Sequence, residues 1–238
     1  MKYLAMIQAR CGSTRLPAKV LKDLCGKTVL ERMIDRVRLA KHVDETMVVT
    51  TLNSEDVPIV RLVSSLGMRV FAGSSADVLD RYYQAAKLIK PEYVIRLTAD
   101  CPVFDPHVLD RAIELMEPGM DSLGMYTETF PDGLDLEIVK FEALERTWRE
   151  AKLMSEREHV TLFIKNNRDI FKTQDYVCEL GNLNNQRWTI DEPADYEFIK
   201  AVYEHFAPRW DFTMEEILAF LISNPEVASI NQGFIRNQ

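Results

Sequence analysis

What this 238-residue chain lacks narrows its function before any motif is considered. No stretch approaches the ~20 consecutive apolar residues that cross a bilayer, so no membrane partner is expected. The opening apolar run is too short for a signal peptide and passes at once into a basic loop. The four cysteines, Cys11, Cys25, Cys101 and Cys178, stand far apart without metal-site spacing. They read as reduced thiols of a cytoplasmic protein. Basic residues are also in deficit: 29 Lys and Arg against 37 Asp and Glu give a formal charge of −8. A chain so charged is poorly equipped for non-specific nucleic-acid binding, which depends on many cations releasing counterions, so no nucleic-acid partner is expected and any phosphate ligand must be met locally. Neither the G-x-x-x-x-G-K-[ST] loop nor the G-x-G-x-x-G fingerprint occurs. Internal repeats, low-complexity runs and linkers are missing too, and nothing in the pattern demands a second domain.

What is present is a regular alternation. Residues 3–7, 46–51, 68–71 and 93–97 read as buried strands. Between them lie a helix opened by the capping box Thr28 and Glu31, a helix starting at Ser54 and stopping at Gly67, and a helix halted by Pro91. Four such alternations predict an α/β fold: a Rossmann-like, mixed but mostly parallel sheet with helices on both faces. Ligands of such sheets collect at the C-terminal strand ends, here residues 8–19, 51–53, 73–75 and 98–101. Past the fourth strand the pattern loosens. Asp105-Pro106 opens a helix to about Met116, and strands are expected at 121–125, 134–139, 171–178 and 187–190. Helices are expected at 141–152, at 155–166 behind a Ser155/Glu158 box, at 193–206 and at 213–222; the last dozen residues give no clear signal. The chain thus reads as one domain over residues 1–238, with a less regular section at about 118–180.

The chemistry concentrates first in the loop Arg10-Cys11-Gly12-Ser13-Thr14-Arg15-Leu16-Pro17-Ala18-Lys19. Three cations, two hydroxyls and a permissive glycine after a strand are suited to holding an anion on successive backbone N–H groups. A solvated basic turn is the plainer alternative. Asp100 and Asp191 each follow an expected strand, where a carboxylate also serves as an ordinary turn former or helix cap. Strand alternation puts Asp135 and Glu137 on one face. Asp77 and Arg81 fit a surface pair at i,i+4.

The order of these residues resembles a known family. Arg10-x-Gly12-Ser13-Thr14-Arg15-Leu16-Pro17-x-Lys19 is similar to the N-terminal signature of the sugar-activating cytidylyltransferases, and most resembles their branch named after spore coat polysaccharide biosynthesis protein F. Ala18 stands where that family usually has glycine. The resemblance implies a nucleotide-diphospho-sugar transferase type of fold and transfer of CMP from CTP to an acidic sugar, with release of pyrophosphate, for polysaccharide or surface glycan biosynthesis. It implies Arg10 and Lys19 as catalytic, and Ala9, Arg10, Gly12, Ser13, Lys19, Thr51, Asn53 and Ser74 as nucleotide-binding. Asp100 and Asp191 match the family's magnesium carboxylates, the latter in an Arg-x-Thr-x-Asp setting. Asp135, Glu137, Arg157, His159 and Arg187 are the implied sugar contacts, and relatives often pair as homodimers. Two carboxylates about 4 Å apart repel by roughly 4 kcal/mol at an effective dielectric of 20, so a triphosphate facing such a pair needs a cation between them. Magnesium, which favours carboxylate and phosphate oxygens, suits that place. Two other functions compete: a glycosyltransferase of the same fold, weakened by the absence of an Asp-x-Asp motif, and an inactive nucleotide-binding partner.

Overall fold

The computed structural model describes residues 1–233. Four parallel strands form its heart: β1 (Tyr3–Gln8), β2 (Glu45–Thr51), β3 (Arg69–Gly73) and β4 (Tyr93–Thr98). The helices between and after them are α1 (Val29–Val37), α2 (Val57–Ser65), α3 (Val78–Ile89) and α4 (Pro106–Leu115). The sheet then continues through β5 (Ser122–Gly124), β6 (Glu137–Lys140) and β7 (Thr173–Asp175), giving the order β3-β2-β1-β4-β6-β5-β7. Only β6 runs antiparallel to its neighbours. The remaining helices are α5 (Phe141–Glu150), α6 (Met154–Glu158), α7 (Leu162–Asn166), α8 (Pro193–Phe206), α9 (Met214–Ser223) and α10 (Pro225–Ala228). No helix among the described residues is long and apolar enough to cross a membrane.

Both faces of the sheet are covered, which is why β1 is almost wholly apolar. Its Tyr3, Ala5 and Ile7 join a core with α1, α4, α8 and α9, whereas Leu4 and Met6 join α3, α5 and α7 on the other face. Local chemistry sets several helix starts. Thr28 and Glu31 make the expected reciprocal cap, and Asp105 caps α4 through the His107 N–H at 2.8 Å. Strand order reverses between β1 and β4, because β2 and β3 lie on one side of β1 while β6, β5 and β7 lie beyond β4. Such a switch point opens a crevice above the strand ends.

Several expected elements differ. The strand expected at 134–139 is shortened to Glu137–Lys140, so Asp135 lies in the loop before it. Residues 187–190 contribute only a bridge from Arg187 to Asp132, and 171–178 shrinks to β7. The helix expected at 155–166 breaks into α6 and α7, and Ser155 is not its cap: Glu156 turns back to accept the Lys152 and Leu153 N–H groups, both at 3.2 Å. Ser54 opens a short 3₁₀ turn ahead of α2.

Gly133 governs how the loop before β6 is laid down. Its φ is 109°, and an added Cβ would lie 2.6 Å from the Trp188 carbonyl carbon. Around it, the Asp132 N–H donates to Gln186 O at 2.9 Å and the Trp188 N–H to Asp132 O at 2.6 Å. Gly133→Ala is therefore expected to lower unfolding free energy by about 2 kcal/mol or more, combining left-handed strain with a backbone clash. Urea titration of the variant against wild type measures it.

Candidate active site

The β1 exit loop is folded on itself and on its neighbour. The Ser13 and Ala18 N–H groups both reach Cys11 O, at 2.7 and 3.0 Å, and the Leu16 N–H reaches Ser13 Oγ at 3.3 Å. The wholly buried Asp56 ties this loop to the end of β2, accepting the Cys11 N–H at 2.6 Å and the Thr51 hydroxyl. Burial, with Asp56 beside it, pushes the Cys11 thiol up to about 11, so it stays protonated. The turn into Lys19 requires Ala18 to be left-handed, with φ 52°. That conformation explains why glycine is usual at this place.

Lys19 is buried, and its ammonium lies 2.7 Å from Asp100 Oδ2 and 2.6 Å from Asp191 Oδ1. Residues 81 and 172 positions away in sequence thus converge on one nitrogen. Asp100 follows β4 and Asp191 precedes α8; the Ile190 N–H donates to Asp100 O at 2.8 Å, hooking the two segments together. Asp191 is not the helix cap. Glu192 occupies that position, and the Asp195 carboxylate takes the Asp191 and Glu192 N–H groups at 3.0 and 2.8 Å. This leaves the Asp191 side chain turned to Lys19, with Arg15 3.5 Å and Arg187 3.3 Å from its other oxygen.

Two cavities, each of 310 Å³, meet at this point. The first is walled by Gln8, Arg10, Gly12, Ser13, Thr14, Arg15 and Lys19, with its three cations on the loop side. The second holds Arg96, Tyr126, Glu128, Asp132, Asp135, Glu137, His159, Thr161 and Lys165 among its lining. Thr98, Asp100 and Asp191 belong to both. The structure therefore brings together Arg10, Gly12, Ser13, Lys19, Asp100, Asp191, Asp135, Glu137 and His159. Ala9 is buried beneath the basic loop, its N–H donating to Val49 O at 3.0 Å.

Other expected contacts lie elsewhere. Arg157 lines neither cavity: it grips Asp77, the cap of α3, at 2.6 Å and Trp148 O at 2.7 Å. Arg81 correspondingly is no surface partner of Asp77, being buried with Nη1 on Ser74 O. Arg187 also lies outside both linings and braces Asp132, Asp191 and Asp195 at 3.3, 3.3 and 2.9 Å. Thr51 spends its hydroxyl on Asp56, while Asn53 and Ser74 sit at the ends of β2 and β3, outside the basic cavity. Gln8, Arg96, Thr98, Tyr126, Glu128 and Lys165 did not stand out in the sequence. The period-two alternation of β4 puts Arg96, Thr98 and Asp100 on one side and was the available signal for two of them.

The carboxylate pair fits a divalent cation. Asp100 and Asp191 already converge two hard oxygens on a single positive centre, the donor type magnesium prefers. Among the described residues no third His, Cys, Asp or Glu joins them, which leaves room for phosphate oxygens and water. Burial alone would push the Lys19 ammonium down, but the two carboxylates reverse this and hold it above its ordinary value. Burial works to raise Asp100, and Lys19 outweighs it, holding that carboxyl below its ordinary value. Burial and Asp100 together push the Cys101 thiol well up, so the second cavity, which it lines, presents no thiolate.

These directions set a pH window. The Asp100 contribution to stability is present above its unfolded value of about 3.9 and is lost as pH falls through the lower folded value; the Lys19 contribution is present below about 10.4 and is lost as pH rises through the higher folded value. In chelator-treated buffer, the stability gap between wild type and Lys19→Gln should be widest in between and should narrow towards both extremes. Urea midpoints measured from pH 3 to pH 11 test this; a gap independent of pH would contradict the assignment.

A family model described as "Cytidylyltransferase" matches residues 4–221. The spore coat polysaccharide biosynthesis protein SpsF of Bacillus subtilis is 35% identical over 239 residues, covering 95% of this chain and 96% of that protein. A cytidylyltransferase structure from Leptospira borgpetersenii superposes with a TM-score of 0.92 at 32% identity, covering 99% of this chain and all of the other. At 16% identity and a TM-score of 0.66, the structure of CMP:2-keto-3-deoxy-manno-octonic acid synthetase complexed with CTP shares the fold, covering 86% of this chain and 99% of its own. With the family model spanning nearly the whole sheet and the SpsF relationship running end to end, the chain belongs to the cytidylyltransferase family of enzymes.

Proposed function

We propose that the protein transfers CMP from CTP to a hydroxyl of an acidic sugar with release of pyrophosphate, in the cytoplasm and for a surface polysaccharide or glycan. One observation carries the reading: a basic cavity and a hydroxyl-accepting cavity share Thr98, Asp100 and Asp191 as a common wall. A triphosphate in the first and a sugar in the second would meet at the carboxylate pair. The four cysteines are free thiols, which suits a reducing compartment.

In this reading Arg10, Arg15 and Lys19, with the backbone N–H groups of the loop and the Ser13 hydroxyl, hold the triphosphate, and Asn53 and Ser74 flank the nucleoside at neighbouring strand ends. Asp100 and Asp191 hold magnesium, which when bound draws charge from the phosphate oxygens. Lys19 is placed to exchange its carboxylate partners for phosphate oxygens, and Arg187 keeps Asp191 aimed inward. The sugar hydroxyl oxygen bonds to the α-phosphorus, the bond from that phosphorus to the bridging oxygen of the β-phosphate breaks, and the hydroxyl proton is released. The chain contributes positioning and charge stabilisation, the main resources of phosphoryl-transfer sites.

CTP should raise the melting temperature, since a ligand that binds only the native state stabilises it. Asp100→Asn is expected to cut magnesium-dependent pyrophosphate release by about 10²-fold or more, the scale of losing a main electrostatic group. Its melting temperature should stay within a few degrees of wild type, because Lys19 keeps Asp191. Wild-type turnover by this variant would remove Asp100 from the mechanism.

A further inference from the structure

Arg96 is a half-buried cation of the second cavity. It lies inside β4, in register with Glu137 of β6, and its Nη1 donates to both Glu137 oxygens, at 3.0 and 3.2 Å. Glu137 is fixed in turn by the Thr161 hydroxyl at 3.1 Å. Both side chains are about one-fifth exposed. Arg96 Nε is buried and finds no hydrogen-bond partner among the described residues. On the adjacent strand Gln8 Oε1, in the wall of the basic cavity, is likewise buried without a partner. Met6 pairs with Arg96 and Gln8 with Thr98, so the two unmet atoms belong to the same side of the sheet. Buried polar groups are almost always hydrogen-bonded, so each exception calls for a partner; Thr50, Arg81, Thr147 and Trp188 carry others away from both cavities, whereas Gln8 and Arg96 line them, where a ligand can supply one.

The cations expected to meet the sugar, and Lys165 in the cavity lining, are differently placed. Arg157 and Arg187 are outside the cavity, and His159 and Lys165 are exposed at its edge. Arg96 also stands well back from the seam. It lies two strand residues, about 6.6 Å at 3.3 Å rise each, before Thr98 of the shared wall, so it faces a part of an acceptor set back from the α-phosphorus. Guanidinium N–H groups only donate and a carboxylate only accepts, and side by side they match adjacent oxygens of a polyhydroxylated chain.

We propose that Arg96, braced by Glu137, grips the acceptor sugar at the end remote from its reacting hydroxyl, donating to a hydroxyl or acyl oxygen while Glu137 accepts from a neighbouring hydroxyl. This rests on the CMP-transfer reading for what occupies the cavity. It makes the pair a determinant of which sugar is accepted, separate from the groups that act on phosphate.

Arg96→Lys tests it, because lysine keeps a cation beside Glu137 but loses the Nε–H and the planar fork. Pyrophosphate release is followed with CTP, magnesium and, as probe acceptors, 3-deoxy-manno-octulosonate and N-acetylneuraminate. The acceptor KM should rise about tenfold or more, the usual cost of a lost hydrogen bond to a charged group, while kcat and the KM for CTP stay within about twofold. Glu137→Gln, which preserves shape, should also raise the acceptor KM. Melting curves with and without CTP verify that each variant is folded and binds nucleotide. Calorimetry of each probe sugar against wild type and Arg96→Lys reads the same interaction without turnover. Wild type that binds a probe yet releases no pyrophosphate would sink the transfer reading and leave Arg96 to be judged on the calorimetry. An acceptor affinity unchanged in Arg96→Lys, or wild type binding neither probe, would overturn the role given to Arg96.

Discussion

Two carboxylates held against one ammonium set the terms for the whole molecule. Asp100 and Asp191 are delivered by segments far apart in sequence and hooked together by the Ile190 N–H on Asp100 O. Bringing like charges this close into a part-buried crevice is unfavourable unless a cation stands between them, and Lys19 does so from a third segment. Each of the three needs a separate restraint. A left-handed Ala18 turns the chain into Lys19, the end of β4 fixes Asp100, and Arg187 with Asp195 aims Asp191. The rest of the fold can be understood as the frame that keeps these restraints in register.

The sheet separates the two halves of the crevice. Parallel β1 sends its exit loop into the basic cavity, where backbone amides and arginines can face phosphates without a large net positive charge on the protein. Beyond β4 the direction changes: antiparallel β6 brings Glu137 opposite Arg96, and the loop before it, laid against Trp188 and Thr189 by Gly133, carries Asp132 and Asp135 into the second cavity. A continuation of the parallel pattern would have presented a β6 exit loop here instead of a side-chain pair. The reversal thus creates a wall of donors and acceptors suited to hydroxyls.

Legibility in the sequence followed the range of the interaction involved. The first four strands and their helices were readable because periodicity, caps and stops are local; Pro193–Phe206 appears where its proline and apolar spacing placed it. The seam acids were suggested by strand-end position and by resemblance, although spacing alone could not separate a ligand from a cap. What failed depended on distant partners. The expected helix over 155–166 breaks where Thr161 turns its hydroxyl to Glu137, 24 residues away. Asp77 and Arg81 sit four apart on paper, yet Asp77 is claimed by Arg157 from 80 positions away while Arg81 turns inward to Ser74 O. The strand expected at 187–190 forms one bridge, to Asp132, while its Ile190 N–H goes to Asp100 O, 90 positions away.

The same contrast separates Arg157 and Arg187, expected as sugar contacts, from Arg96, which did not stand out in the sequence. An arginine in a helix start or before an Asp looks available in sequence, and one inside a strand looks structural. Their hydrogen-bond partners reverse that impression. A guanidinium facing several carboxylates is already satisfied and contributes rigidity, whereas one whose neighbour engages a single nitrogen retains directional donors. Arg187 meets Asp132, Asp191 and Asp195; Arg96 meets Glu137 through Nη1 and keeps Nε unmet. An unmet donor does not by itself mark a reader, since Arg81 keeps Nε and Nη2 unmet away from both cavities; what sets Arg96 apart is that its unmet nitrogen belongs to a residue lining the second cavity.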